Sequence, residues 1–226
     1  MKVTRVETDT VTLTLARPIG SALGELRDFG MVLVTIHTDE GLTGENLVFT
    51  LNNRRTPVLR AMVEELSDLI VGQDPGLIAG FNASAWKDIN FLGHKGVTVM
   101  GISALDGALW DLAGKAAGLP LYRLLGGAQS RVPVYHSGGL WLSLSIDELQ
   151  EEARRFMAEG FKAMKMRLGH ADPRDDIARV KAVREAIGPK IKLMADANQG
   201  LSEHQAIRLG RMLEEYDLTW FEEPLP

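Results

Sequence analysis

The sequence predicts an α+β domain over residues 1–127, followed by the first half of a (β/α)8 barrel over residues 128–226. Two observations support this fold class. Strand patterns precede helical patterns in the first part of the chain, whereas short apolar runs alternate with helical patterns in the second part. The apolar runs of the second part begin roughly 30 residues apart, which is the size of one strand with its crossover helix.

The composition is that of an ordinary globular protein and excludes several functional classes. The 226 residues carry a formal net charge of −5, and 45% of them are hydrophobic. The lack of cysteine excludes a disulfide framework, a thiolate zinc site and a cysteine nucleophile. Basic residues are scattered, and no apolar run reaches the roughly 20 residues of a membrane helix. The N-terminus also lacks the apolar run of a signal peptide, so we expect a cytoplasmic protein without nucleic-acid or membrane partners.

The first part of the chain has three strand patterns followed by helical patterns. Its opening residues alternate and are rich in threonine and valine, as in a half-buried strand. Thr56 and Pro57 are typical of a helix start, and the apolar stripe of that helix includes Val58. A later helix is expected to end at Gly118. The expected elements are strands at Thr4–Leu15, Phe29–Thr38 and Leu42–Phe49, a flexible loop at 17–24, and helices from Thr56 and over Val97–Ala117.

The second part alternates strand and helix, which predicts a parallel sheet. Such a sheet is either doubly wound or closed into a barrel. Because no G-x-G-x-x-G sequence follows any of the strands, the barrel is the better interpretation. The expected strands are Val132–His136, Ala163–Leu168, Ile191–Ala195 and Leu218–Phe221, and the expected helices are 146–159, 175–187 and 203–215.

The length of the second part is too small for a complete barrel. A (β/α)8 barrel takes about 250 residues, but only 99 residues follow Gly127. The sequence stops directly after the fourth predicted strand, which would leave two open sheet edges. We therefore expect this sequence to be part of a longer protein.

Polar side chains follow three neighbouring strands at their carboxyl ends, where the chemistry of a barrel is expected. Alternation places Lys165 and Arg167 on one face of the second strand. Asp196 and Asn198 follow the third strand, and Glu222 follows the fourth. Oxygen ligands without histidine or cysteine favour Mg2+ over zinc. The pattern indicates removal of the α-proton of a carboxylate substrate, with the metal stabilising the resulting enediolate.

Each of these residues also has a purely structural interpretation. Asp196 and Asn198 could satisfy backbone amides of a turn, and Glu222 could be a solvated strand end. Lys165 and Arg167 could be surface charges. Their coincidence at three successive strand ends favours a functional site.

Five longer motifs carry a family resemblance that spans nearly the whole chain. They are GISALDGALWDLAGK at 101–115, PLYRLLGG at 120–127, GFKAMKMRLG at 160–169, MADANQ at 194–199 and TWFEEP at 219–224. Together they resemble the enolase superfamily, specifically the mandelate racemase/muconate lactonizing enzyme family and its mandelate racemase subgroup. The resemblance implies an N-terminal capping domain over residues 1–127 and a C-terminally truncated barrel domain over residues 128–226.

The resemblance also implies a role for each residue at the strand ends. Asp196 would be the first Mg2+ ligand and Glu222 the second. Lys165 would be catalytic through contact with the substrate carboxylate, and Asn198 would bind substrate close to the metal. Arg167, the other catalytic candidate, replaces a lysine that is often the base in this family. Because arginine is essentially always protonated, Arg167 is expected to act as an electrostatic clamp.

The remaining catalytic groups of the family would lie outside this chain. They are a histidine base paired with an aspartate, and a third metal-binding carboxylate. A single base favours dehydration over racemisation, which needs an acid or base on each face of the α-carbon. We therefore expect a Mg2+-dependent sugar-acid dehydratase, a lyase that is a homo-oligomer when full length. The alternatives are a racemase or epimerase of a 2-hydroxy acid, or an inactive scaffold, and the chain alone is expected to be inactive.

Two further features have open interpretations at this point. His136 could face the substrate or be a packed histidine. The resemblance also implies that residues 17–28 and the segment around Phe49 to Arg55 are the family's specificity loops over the barrel mouth. Their mixture of Ser21, Asn52, Asn53 and Arg54 with apolar residues suits a polar substrate.

Overall fold

The computed structural model describes residues 1–226 and divides them into two compact units. The first unit comprises Met1–Ala16 and Asp28–Ser130, and the second comprises Arg17–Arg27 and Arg131–Pro226. One contains a three-stranded sheet with helices, and the other contains a parallel sheet with helices. This arrangement is the predicted fold class, an α+β domain followed by part of a (β/α) barrel. None of the helices has the length and apolar character needed to cross a membrane.

Three strands form a sheet in the order β1-β2-β3, and this sheet belongs to the first unit except for residues 17–27 of β1 and β2, which belong to the second. β2 pairs antiparallel with β3, and Phe29 lies opposite Leu51. Every second residue in the inner part of β2 is buried, including Val32, Val34 and Ile36, because alternate side chains of a strand point to one face. The elements are β1 (Val3–Ser21), β2 (Gly24–Thr38), β3 (Thr43–Leu51), α1 (Thr56–Ser67), α2 (Ile78–Asp88), α3 (Val97–Ala117) and α4 (Leu121–Leu124).

The long helix α3 packs on this sheet and confirms the helix predicted over the same residues. It ends at Gly118, whose φ of 63° is the left-handed conformation typical of a helix C-terminus. Leu105 and Leu109 are fully buried in the core between helix and sheet. Gly44 of β3 permits the close approach, because a Cβ at this position would collide with the carbonyl oxygen of Ala108.

The flexible loop predicted at 17–24 is wrong. β1 continues to Ser21 and β2 begins at Gly24, so these residues form the tip of a β-hairpin with a two-residue turn. Gly24 has a φ of 112°, a conformation that glycine adopts without steric cost, and this explains how so tight a turn is made.

Helix α1 begins at Thr56 with Pro57 in its first turn, as the sequence predicts, but Thr56 is not the capping residue. Arg55, at a φ of 66°, holds the position before the first turn, and no side chain caps the helix. The hydroxyl of Thr56 instead forms a 2.6 Å hydrogen bond with that of Thr50. The buried face of α1 includes Leu59, and the helix packs against α3, whereas Val58 of the predicted apolar stripe is 56% exposed.

In the second unit, β4, β5 and β6 form a parallel sheet in chain order, as a series of βα units requires. Its core includes Met164 and Met166 from β4 together with apolar residues of the helices. The predicted strand Val132–His136 is reduced to one parallel bridge between His136 and Met164, and Val132 and Val134 stay largely exposed. The elements are α5 (Ile146–Ala158), β4 (Ala163–Arg167), α6 (Pro173–Ile187), β5 (Lys192–Asp196), α7 (Glu203–Leu213) and β6 (Phe221–Glu222).

Candidate active site at the carboxyl ends of the parallel strands

The pairing of β4, β5 and β6 places the predicted polar residues side by side. Arg167 lies opposite Asp196, and Asp196 lies opposite Glu222, so these three form one row across the sheet. Lys165 is two residues before Arg167 on the same strand, and its side chain reaches the same carboxylates. All four side chains therefore meet at one edge of the sheet.

Lys165 is the centre of this cluster. Its Nζ donates to Glu222 Oε1 at 2.7 Å and lies 3.0 Å from Asp196 Oδ2. The side chains of Lys165 and Asp196 are 6% and 4% exposed, whereas that of Glu222 is 33% exposed. Burial alone would lower the pKa of Lys165, but the hydrogen bonds to both carboxylates outweigh it and raise the pKa above its ordinary value. Lys165 is therefore an ammonium cation held between two carboxylates.

Glu222 is held by two donors. Burial would raise the pKa of this carboxyl, but hydrogen bonds from Lys165 and from the indole of Trp220 hold its pKa below the ordinary value. The Trp220 Nε1 donates to Glu222 Oε2 at 2.9 Å. Glu222 is thus a carboxylate at neutral pH, as a metal ligand must be.

Arg167 is buried with part of its hydrogen-bonding capacity unused. Its Nη2 donates to the carbonyl oxygen of Ser137 at 3.2 Å, whereas its Nε and Nη1 have no hydrogen-bond partner. The Nε lies 3.6 Å from Asp196 Oδ2, which is too long for a hydrogen bond. Burial lowers the pKa of Arg167, and the neighbouring carboxylates oppose the shift. A buried guanidinium with free N–H groups can bind an anion.

Asn198 lies in a backbone conformation that is rare for a residue with a side chain. Its φ is 44°, its amide N donates to Asp196 Oδ1 at 2.8 Å, and its buried Oδ1 has no partner. The next residue, Gln199, and Glu223 after β6 also have positive φ values of 60° and 43°. Strained backbone of this kind concentrates at functional sites, because surrounding contacts must hold it in place.

Two aromatic residues beside the cluster were missed by the sequence reasoning. The Trp141 ring centroid is 4.6 Å from Arg167 Cζ, and the Tyr135 ring centroid is 5.9 Å from Lys165 Nζ. Tyr135 was within a predicted strand, so alternation could have placed it on one face. No sequence signal identifies Trp141, because its position depends on the fold of the loop before α5.

His136 is a packed residue. Its ring stacks on Phe156 with centroids 3.5 Å apart and meets Phe161 edge-on, so it lies against α5.

The chain contains no group of three or more histidine, aspartate or glutamate side chains that could hold a metal ion.

The hairpin tip, residues 17–27, packs against the loops that follow the strands. Leu142 N donates to the carbonyl oxygen of Gly20 at 3.0 Å. The methyl group of Ala22 lies so close to Gly169 and Gly200 that a Cβ at either glycine would collide with it. These two glycines follow β4 and β5, so the hairpin tip borders the loops that come directly after the strands of the polar cluster.

The fold and this cluster define a protein of the enolase-like barrel class. A family model for the mandelate racemase/muconate lactonizing enzyme N-terminal domain matches residues 3–126, and one for the enolase C-terminal domain-like family matches residues 148–226. The chain belongs to the mandelate racemase/muconate lactonizing enzyme family of the enolase superfamily.

Relatives with assigned reactions are similar over nearly all of this chain. It is 38% identical over 221 residues to a 3,6-anhydro-alpha-L-galactonate cycloisomerase of Streptomyces coelicolor, covering 97% of this chain and 61% of that protein. It is 32% identical over 220 residues to the L-talarate/galactarate dehydratase of Salmonella typhimurium, covering 94% and 55%. The chain thus spans a little over half the length of these relatives.

A solved structure of similar fold contains magnesium. The crystal structure of a racemase from Streptomyces coelicolor with bound magnesium matches with a TM-score of 0.95 and 37% identity, covering 99% of this chain and 63% of that one. The L-talarate/galactarate dehydratase liganded with Mg and L-lyxarohydroxamate matches with a TM-score of 0.91 and 31% identity, covering 98% and 58%.

Proposed function

We propose that the protein carrying this chain is a Mg2+-dependent dehydratase that removes the α-proton of a sugar acid and eliminates water. The observation that carries the proposal is the Lys165 ammonium held between the carboxylates of Asp196 and Glu222. Relatives named as arabinonate dehydratase and L-talarate/galactarate dehydratase support the substrate class.

The residues present fit a magnesium ion as a partial ligand set. Mg2+ is commonly bound by one or two carboxylates, with waters and substrate oxygens as the other ligands. Asp196 and Glu222 supply two carboxylates that already face a common cation, and Asn198, whose backbone N donates to Asp196, has a buried Oδ1 without a hydrogen-bond partner. When bound, the metal would neutralise negative charge that develops on the substrate carboxylate as the proton leaves.

Lys165 and Arg167 would hold the substrate rather than accept its proton. The raised pKa of Lys165 keeps it protonated at neutral pH, and a guanidinium does not act as a base there. Asp196 and Glu222 would hold the metal, and the Lys165 ammonium would contact the substrate carboxylate. The free Nε and Nη1 of Arg167 would donate to oxygens of the same substrate. Asn198 would orient a substrate hydroxyl or the metal.

The proton-accepting base therefore has to come from outside these residues. Among the histidines, His136 packs against α5 and His170 pairs with Asp176 at 2.8 Å, and neither contacts the cluster. We assign the base to a residue beyond the 226 described here, as the family resemblance implies. Weak Mg2+ binding and no turnover by the chain alone, and a homo-oligomeric full-length protein, remain predictions.

The test is a panel of aldonic and aldaric acids incubated with the full-length protein and Mg2+ in D2O. NMR follows the α-proton and any product, and Glu222→Gln is the matched inactive variant. Loss of water to give a 2-keto-3-deoxy acid is the expected result. Exchange of the α-proton with no change in composition would instead identify an epimerase, and no exchange with any acid would leave the scaffold alternative.

A second candidate reaction is cycloisomerisation of a sugar-acid lactone or anhydro sugar acid. It is favoured by the cycloisomerases among the relatives, at 38% and 33% identity. It needs the same removal of a proton next to a carboxylate group, so the roles of Lys165, Asp196 and Glu222 would be unchanged. Ring opening or closure without loss of water in the same NMR assay would identify it.

A further inference from the structure

The guanidinium of Arg167 lies between two competing partners. On one side, the Trp141 ring centroid is 4.6 Å from its Cζ. On the other side, Asp196 Oδ2 is 3.6 Å from its Nε, just beyond hydrogen-bonding distance. Arg167 and Asp196 are both buried, at 6% and 3% exposure, so their ion pair is strengthened by the low local dielectric even without a hydrogen bond. The guanidinium thus has a cation–π contact with Trp141 and an ion pair with Asp196 that lacks a hydrogen bond.

Trp141 is fixed by contacts that do not involve the polar cluster. Arg179 of α6, 5% exposed, donates from Nη2 to the Trp141 carbonyl oxygen at 2.9 Å and from Nη1 to the carbonyl oxygen of Leu144. The preceding residue, Leu140, has a φ of 53° and donates its amide to Glu152 Oε2 at 2.6 Å. The indole ring is therefore on a loop that two charged side chains from α5 and α6 hold in place.

We propose that Trp141 is a positioning residue that keeps the Arg167 guanidinium over its ring and out of hydrogen-bonding distance of Asp196. Asp196 Oδ2 then receives no hydrogen bond from Arg167 that would compete with a cation, and the unpartnered Nε and Nη1 of Arg167 are left for an anionic substrate. Stacking on an indole restrains a guanidinium by its face and leaves its in-plane N–H groups available, so Trp141 does not compete with the substrate. The inference rests on the proposed function, because it takes Asp196 as a metal ligand.

The first experiment measures Mg2+ affinity by calorimetry in a double-mutant cycle. Trp141→Leu should weaken Mg2+ binding about tenfold, as expected when a group that orients a ligand is lost. The reason is that Arg167 would then form a hydrogen bond with Asp196 and compete with the cation. Trp141→Phe keeps an aromatic face and should stay near the parent. In an Arg167→Met background, Trp141→Leu should have no further effect. Trp86→Leu, in the first unit, is the control and should leave the affinity unchanged.

The double variant separates positioning from mere structural support. If Trp141 only kept the loop folded, Trp141→Leu would weaken Mg2+ binding equally with or without Arg167, and the proposal would be overturned.

A crystal structure of metal-free Trp141→Leu gives a readout that does not depend on magnesium. The expected result is that Arg167 Nε moves within 3.2 Å of Asp196 Oδ2, whereas a guanidinium that stays at its present distance would overturn the proposal. If the parent chain binds no Mg2+ at all, the proposed metal site fails, and the position of Arg167 in this variant still decides the role of Trp141.

Discussion

Replacing Lys165 by methionine tests the electrostatic centre of the site. Methionine keeps most of the apolar length of lysine and removes the ammonium, so the change isolates the charge. The side chain of Asp196 is 4% exposed and would lose its nearest cation, and Glu222 would lose a 2.7 Å hydrogen bond. We expect the second unit to be destabilised in the absence of metal.

The size of the effect follows from burial. Removing one partner of a buried ion pair costs about 3–5 kcal/mol. Glu222 is 33% exposed and can regain water, and Arg167 remains 3.6 Å from Asp196, so the loss should lie at the lower end, about 3 kcal/mol. The pKa of Lys165 is raised in the folded protein, so its ammonium stabilises the fold fully at pH values below the ordinary pKa of 10.5. The difference in unfolding free energy between the parent and Lys165→Met should therefore be full at pH 7. It should shrink only when the pH rises through the pKa of Lys165 in the folded protein.

The assay is urea unfolding at pH 7 followed by hydrogen exchange of β4 and β5 amides, with and without Mg2+. Lys115→Met in the first unit is the matched control, since Lys115 also lies near two carboxylates, Asp111 at 2.7 Å and Glu45 at 3.5 Å, but its side chain is 39% exposed. That control should lose no more than about 1 kcal/mol. Mg2+ should restore more stability to Lys165→Met than to the parent, because the metal replaces the missing charge. Equal, small losses in both variants would refute the reasoning.

Three further predictions concern the hairpin tip, one helix start and the first unit. Gly200→Ala should displace the hairpin tip through a collision with the Ala22 methyl group and should speed hydrogen exchange of the Leu142 amide. Adding Ala22→Gly should restore the protection of that amide. A double variant that exchanges as fast as Gly200→Ala would disprove this contact. Hydrogen bonds from Ser145 and Arg17 lower the pKa of Glu148 to about 2, so carboxyl NMR should show this side chain charged at roughly pH 3.5. The contribution of the Glu148 carboxylate to folding stability is full above the ordinary pKa of 4.5 and is lost as the pH falls toward 2. A titration midpoint near 4.5 would contradict these contacts. Gly44→Ala should destabilise the first unit by about 2 kcal/mol in urea, because its Cβ would meet the Ala108 carbonyl oxygen, and an unchanged midpoint would show that the sheet and α3 separate easily.

The parts of the fold that follow from periodicity and chain punctuation could be predicted from the sequence. Helix α3 has strong apolar periodicity and a glycine stop, and its predicted bounds match the structure. The hairpin conformation of residues 17–24 was not predicted. The glycine and proline content of this segment indicates a turn but does not show that strand pairing continues up to that turn. Val132–His136 has the composition of a strand, yet only one residue pairs, since pairing depends on neighbours that a single segment does not reveal.

The part of the candidate site that follows from strand alternation and strand order could be predicted from the sequence. Asp196 and Glu222 directly follow predicted strands, alternation places Lys165 on the same face as Arg167, and the parallel pairing brings these residues together. Trp141 and Arg179 could not be found this way. Their contacts depend on how a loop folds on α6, which no short-range sequence pattern specifies.

The most direct test of the account is Mg2+ titration of the chain and of Glu222→Gln, with Glu203→Gln on the exposed start of α7 as the control. If Asp196 and Glu222 form the cation site, the parent should bind Mg2+ weakly and saturably, Glu222→Gln should abolish binding, and Glu203→Gln should bind like the parent. Equal Mg2+ affinity in the parent and Glu222→Gln would contradict the assignment of this carboxylate pair as the metal site.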